Sequence, residues 1–241
     1  MPFASGRGPV TGRACRPRPG AAGNVAAPVR AHIFDMDGTL LHGTTAPVLL
    51  AAALGRAEAL DALEERFATG SATTVEFARA LHDMWGVVAP EAARQAFAAA
   101  PVLANLPAVL DDIHARDERA CLITMSPDYF AEQFLDAGFD AVFASRFPRT
   151  ADVALDESAI LSPEDKPRLA ARFCAEHGLA MEQAIAYGDS MSDVFLFDAV
   201  GVRVSVNGDH HLAERSDVAI QGTDLLPAYR AARALADGAA G

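Results

Sequence analysis

Short β-type runs recur along this chain at Val29–Phe34, Ala120–Thr124, Ala141–Ala144, Ala184–Tyr187 and Val202–Val206, separated mostly by helical patterns. Such alternation makes a parallel sheet, because parallel neighbours need long crossovers and helices are what cover the two apolar faces. The spacing predicts helices over Ala108–Arg116, Asp128–Ala137, Pro163–His177 and Ser192–Ala199, with Gly138 and Gly178 placed to end two of them. One interval breaks the rhythm. Between residues 44 and 104, Leu60, Leu63 and Phe67, then Val75, Ala78, Leu81 and Trp85, are spaced for helix faces and not for strands. The expected architecture is α/β: a parallel-sheet core over residues 30–43 and 105–241, with an inserted helical cap over 44–104. Open α/β sheets bind ligands at the carboxyl ends of their strands, so an insertion leaving just after the first strand hangs over that edge.

The 241 residues are 51% hydrophobic, enough to bury a substantial core, and no apolar run reaches the roughly 20 residues of a membrane span. A net charge of −12 argues against nucleic-acid and anionic-membrane surfaces, which need cationic patches. A small ligand fits better. Residues 1–29 hold Arg7, Arg13, Arg16 and Arg18, no acid, and much Gly, Pro and Ala, so a disordered tail is expected there. No apolar stretch of about 7–15 residues follows those charges, as a secretion signal would require, and a cytoplasmic location is expected. Cys15, Cys121 and Cys174 lack metal-site spacing and are expected as free thiols.

The chemistry concentrates at strand ends. After the apolar run Ala31–Phe34 come Asp35-Met36-Asp37-Gly38-Thr39, two carboxylates at the mouth of a buried strand. Asp35 is placed to attack phosphorus, and Asp37 to protonate the leaving oxygen and later deprotonate water. Gly38 allows a tight turn that brings N–H groups to a phosphate. The plainer alternative is an Asp-Gly turn. Further on, Gly188-Asp189-Ser190-Met191-Ser192-Asp193 places two acids at i,i+4 where a strand enters a helix, a setting for a hard cation such as Mg²⁺. Helix capping by Asp189 and Ser190 is the competing account. Thr124 ends an apolar strand, where its hydroxyl and nearby N–H groups, such as that of Met125, suit phosphate oxygens; Ser126-Pro127 reads as a helix cap. Lys166 is the only lysine among 20 basic residues. It falls near a helix N-terminus, where a cation is unfavourable unless an anion pairs with it. Replacing it by Ala or Arg is expected to lower activity by at least roughly 10²-fold and leave folding nearly unaffected.

These four elements, in this order, resemble the haloacid dehalogenase superfamily, and closely its phosphoserine-phosphatase-like branch, over about residues 30–220. The resemblance implies a Rossmann-like core with a helical cap and Mg²⁺ as cofactor. It implies Asp35 as nucleophile, Asp37 as general acid/base, and Thr124 and Lys166 as phosphate ligands. Asp189 and Asp193 would hold the metal, joined by the Asp35 side chain and the Asp37 carbonyl. Phosphoserine phosphatases carry a glutamate nine residues after the nucleophile to receive the substrate ammonium; here Thr44 stands in that place. The arginine they offer the substrate carboxylate has Arg79 as its nearest counterpart.

The expected activity is a phosphatase acting on a small phosphorylated metabolite. A phosphotransferase or phosphomutase could use the same aspartyl phosphate, and a non-catalytic phospholigand-binding protein ranks behind both. Dehalogenases of the superfamily do not use the second Asp or the metal, and its phosphonate hydrolases need a cap lysine that this chain lacks. Substrate contacts are sought among Thr44, Arg79 and Tyr129, with His42, His82 and Arg146 as further candidates. Nothing in the pattern fixes an oligomeric state.

Overall fold

The computed structural model describes residues 31–68 and 71–238; the expected disordered tail over 1–29 and Cys15 lie outside the described residues. Six strands form one parallel sheet: β1 (Ala31–Phe34), β2 (Arg119–Pro127), β3 (Ala141–Ser145), β4 (Ala184–Gly188), β5 (Val202–Val206) and β6 (Val218–Ile220). Four helices follow β1: α1 (Ala46–Ala53), α2 (Ala57–Ala68), α3 (Thr74–Trp85) and α4 (Pro90–Ala98). The crossovers then bring α5 (Leu106–Ala115), α6 (Asp128–Ala131), α7 (Asp165–Glu176), α8 (Val194–Phe197) and the final α9 (Leu226–Gly238).

The strand order β3-β2-β1-β4-β5-β6 is Rossmann-like and puts β1 at the centre. The chain fills the sheet to one side of β1, then returns to fill the other. Between β1 and β4 the connections therefore leave in opposite directions, and a crevice opens at the carboxyl edge. Register sharpens this: Phe34 lies opposite both Leu122 and Tyr187. Asp35, Thr124 and Gly188 consequently leave the sheet within one or two residues of the same line.

Side-chain alternation covers both faces. Ala31 and Ile33 pack with Ala184, Ala186 and helices α7 and α8, whereas Phe34 packs with Tyr187, α5, α6, α9 and the inserted helices. The rings of Phe34 and Tyr187 stack at 4.2 Å, 4° from parallel. In the insertion, Leu60, Leu63, Ala78 and Leu81 are buried, as their spacing predicts; the Phe67 side chain lies outside the described set. Thr73 and Glu76 start α3 with a reciprocal capping box, and Gly86, at φ +61°, ends it. The chain enters and leaves the insertion side by side, since His42 N–H donates to Pro101 O at 3.0 Å and Leu103 N–H to Leu40 O at 2.9 Å.

Several expected boundaries are corrected. β2 runs through Ser126 to Pro127, so Ser126 is a buried strand residue and not a helix cap. The stretch expected as one helix over 128–137 is α6 followed by a 3-10 turn, Glu132–Leu135; that over 192–199 is a 3-10 turn, Met191–Asp193, followed by α8. β6 was not expected because three edge residues are too few to show alternation. α9 was missed because its buried face is built largely of alanines, Ala228, Ala232 and Ala236, in an alanine-rich region where they carry little contrast.

Under the sheet, away from the carboxyl edge, His32 is fully buried between Tyr187 Oη and Glu118 Oε2, each at 3.0 Å, and Arg233 Nη1 reaches both Glu118 oxygens at 2.6 Å. Burial holds the His32 pKa below its ordinary 6.5 despite the opposing Glu118 carboxylate. Burial would raise Glu118, but its bonds to His32 and Arg233 outweigh that and lower it. The folded state thus binds fewer protons at His32 than the unfolded chain, and its contribution is whole above 6.5 and lost as pH falls below it. Thermal melts should show Tm falling from pH 7.5 to 5.5, by about 2–4 °C per kcal/mol lost. His32→Asn should flatten that slope; an unchanged slope would remove His32 as its source.

Candidate active site

Asp35 follows β1, and its N–H donates to Tyr187 O at 2.9 Å, extending the β1–β4 ladder by one residue. The residue is 4% exposed. Lys166, in the first turn of α7 and 1% exposed, places Nζ 2.6 Å from Asp35 Oδ1, 2.7 Å from Asp193 Oδ1 and 3.2 Å from Ser192 Oγ. The helix N-terminus tolerates this cation because two carboxylates hold it. Burial works against the Lys166 ammonium, but Asp193 and Asp35 outweigh it and raise its pKa, so the lysine is charged. Burial likewise raises Asp35, with Lys166 opposing and Asp193 and Asp37 adding.

Asp37 sits across the turn. Its Oδ1 accepts from Ala46 N–H at 2.6 Å and its Oδ2 from Thr124 Oγ1 at 3.1 Å, with the Ser126 hydroxyl acting on it too. The Asp37 pKa is raised, with burial as the leading cause, and these three donors oppose it. Thr124, Met125 and Ser126 occupy the interval in which the pairing of β2 with β3 shifts register, between Ile123 and Pro127. Thr124 Oγ1 also accepts from Ser126 N–H at 3.1 Å, which orients its proton towards Asp37.

The second acidic element closes the other side. Asp193 is fully buried, and while Oδ1 takes Lys166, Oδ2 accepts from the N–H groups of Asp189 at 3.0 Å and Ser190 at 3.3 Å. Loop capping, the alternative weighed for Asp189 and Ser190, is thus performed by Asp193, which anchors Lys166 at the same time. Asp189 is left open to the site, with Thr39 Oγ1 at 3.4 Å. Two glycines make this packing possible. A Cβ on Gly38, whose φ is +79°, would lie 2.1 Å from Asp189 Oδ2, and one on Gly188 would lie 2.4 Å from Asp193 Cγ. Each motif's glycine leaves room for a carboxylate of the second motif.

One carboxylate oxygen from each of Asp35, Asp189 and Asp193 lies within 4.8 Å of the others. Burial, followed by the charges of Asp35 and Asp193, pushes the Asp189 pKa up. With Asp37, four carboxylates face the single ammonium of Lys166. An all-oxygen donor set with uncompensated negative charge suits a hard divalent cation.

A family model of haloacid dehalogenase-like hydrolases matches residues 33–198. The chain belongs to the haloacid dehalogenase-like hydrolase family. Among solved structures, a substrate-bound phosphoserine phosphatase complex matches 84% of this chain and 97% of its own, at 17% identity and a TM-score of 0.71. A phospho-aspartyl intermediate analogue of phosphoserine phosphatase matches 85% and 99%, also at 17% identity and 0.71. A HAD family hydrolase from Salmonella enterica subsp. enterica serovar Typhi matches 81% and 69%, at 19% identity and 0.72. The fold of this haloacid dehalogenase-like hydrolase is that of the phosphoserine phosphatases. No curated protein matches it.

The expected site residues of this hydrolase separate into two groups. Asp35, Asp37, Gly38, Thr124, Met125, Lys166, Asp189 and Asp193 converge on the carboxyl edge of β1, β2 and β4. Of the substrate candidates, Thr44 is adjacent, its carbonyl accepting from Gly38 N–H at 3.3 Å. Arg79 is engaged elsewhere, as its guanidinium pairs with Glu157 in an exposed bridge from α3 to the core. Tyr129 is 6% exposed, with Phe147 against its ring, Arg149 over it and Trp85 beside its hydroxyl. Sequence reasoning missed Ser126 and Ser192; both lie inside the motifs, and a serine there looks like a cap until the backbone is placed. One expectation about Lys166 is overturned. Buried between two acids, it is structural as well as chemical, and its removal cannot leave folding untouched.

Cys121 and Cys174 are free and buried, as expected. Among the described residues no helix is long and apolar enough to cross a membrane.

Proposed function

We propose that this hydrolase is a Mg²⁺-dependent phosphatase that cleaves small phosphomonoesters through a phosphoryl group carried on Asp35. The observation that carries the reading is the Lys166 ammonium, 2.6 Å from Asp35 and backed by Asp193, facing an Asp37 held separately by Ala46 and Thr124. Burial raises both carboxylates, but the ammonium at Asp35 favours its ionised form, whereas Asp37 has neutral donors as its main partners.

Asp35 attacks phosphorus, and the bond to the ester oxygen breaks. The Asp37 proton goes to that oxygen, and the alcohol leaves. Water then attacks the aspartyl phosphate, Asp37 takes its proton, and inorganic phosphate departs with Asp35 restored. Lys166 and the hydroxyl of Thr124 stabilise charge on the transferring phosphoryl oxygens, and the N–H of Met125 binds them. Asp35, Asp189 and Asp193, with the Asp37 carbonyl, would hold the cation, which would supply positive charge to neutralise the phosphate. Helices α1–α4, within residues 44–104, act as the cap.

A phosphate-release screen over amino-acid, sugar and nucleotide monophosphates tests this. Release from at least one small monoester, lost with EDTA and restored by Mg²⁺, is expected. Phosphoryl transfer to an added alcohol in preference to water, or full turnover in EDTA, would contradict it.

A further inference from the structure

Glu64, on α2, brings a carboxylate from the inserted helices to the segment that holds Asp37. Its Oε1 accepts from Thr45 Oγ1 at 3.0 Å. Thr45 is the N-cap of α1, and the next N–H, that of Ala46, holds Asp37 Oδ1 at 2.6 Å. Glu64 and Asp37 are thus joined through one short piece of backbone, close enough for their charges to act on each other. Glu64 is half-buried, and besides burial and the Thr45 hydroxyl the groups acting on it are the like charges of Asp37 and Asp61. No cation is among them. Of the basic groups expected near a substrate, Lys166 is occupied by Asp35 and Asp193, and Arg79 by Glu157.

A leaving group bonded to the oxygen that Asp37 protonates extends on this side. It meets carboxylates without a compensating cation, in a partly desolvated space where like charges repel more strongly than in water. We propose that Glu64 is a specificity-determining residue that rejects phosphomonoesters whose alcohol carries a further negative charge. The substrate class is then the monoester of an alcohol lacking a carboxylate or second phosphate. This rests on the phosphatase reading above and adds a rule of choice to it. Specificity of this kind comes from a repulsive element built against the wrong ligand.

Glycerol 3-phosphate and 3-phosphoglycerate test it, since they differ chiefly in a hydroxymethyl group against a carboxylate. Wild-type kcat/KM should favour the glycerol ester by at least about tenfold at low ionic strength, mostly through KM. The preference should shrink in high salt, as screening requires. Glu64→Gln keeps an oxygen that accepts from Thr45 and removes the charge, so it should cut the preference severalfold; loss of helix packing alone would lower both esters together. Competition by the same two esters for Asp35→Asn protein reads the ratio as binding, without turnover. A preference seen in binding, with no hydrolysis of any monoester in the phosphate-release screen, would sink the phosphatase reading and leave the charge rule standing. Equal treatment of the two esters in both assays, or a Glu64→Gln protein with the wild-type ratio, overturns the role of Glu64.

Discussion

Lys166→Ala is expected to lower phosphate release by at least roughly 10²-fold, the scale of losing one oriented donor to a transition state. The ammonium lies against the nucleophile at 2.6 Å and is fixed by Asp193 and Ser192, so its position is set before substrate arrives. Lys166→Arg should fail to a similar degree, because a flat, broad guanidinium cannot occupy a fully enclosed point between two carboxylates. Stability should change as well. Removing one member of a buried ion pair costs about 3–5 kcal/mol when the partner charges stay buried. Here burial has raised the Asp35 pKa, so that carboxylate can take up a proton and the cost should be largest at high pH. Melts of Lys166→Ala that match the wild type throughout, together with wild-type turnover, would make this lysine an ordinary one.

Much of this arrangement is legible in the sequence alone. The strand ends could be read because parallel strands buried on both faces give short apolar runs, and the acids directly after Phe34 and Gly188 announce the carboxyl edge. Lys166 stood out as the only lysine. What the residues could not disclose was partnership. That Asp193 turns inward to hold Lys166 and two loop N–H groups depends on how the 3-10 turn Met191–Asp193 folds back, which the i,i+4 spacing does not specify. Ser126 was read as a cap because Ser-Pro before a polar residue has that pattern; only the continuation of β2 to Pro127 turns its hydroxyl to Asp37. Glu64 was invisible for a similar reason. On α2 it is one acid among Asp61 and Glu65, and only the tertiary bond to Thr45 distinguishes it.

Asp35→Asn should be the most damaging single change, with turnover reduced by about 10⁴-fold or more, the order seen when a covalent nucleophile is removed. The amide keeps an oxygen for Lys166 and nearly the same volume, so the fold should survive. Loss of activity would still leave open whether Asp35 attacks or only binds. The phosphorylated state itself decides that. Rapid acid quenching of the wild-type enzyme during turnover, followed by digestion and mass spectrometry, should find the mass of one phosphoryl group on Asp35, absent from Asp35→Asn and sensitive to hydroxylamine. Steady release of phosphate with Asp35 never modified, or with the label on another residue, would contradict the account.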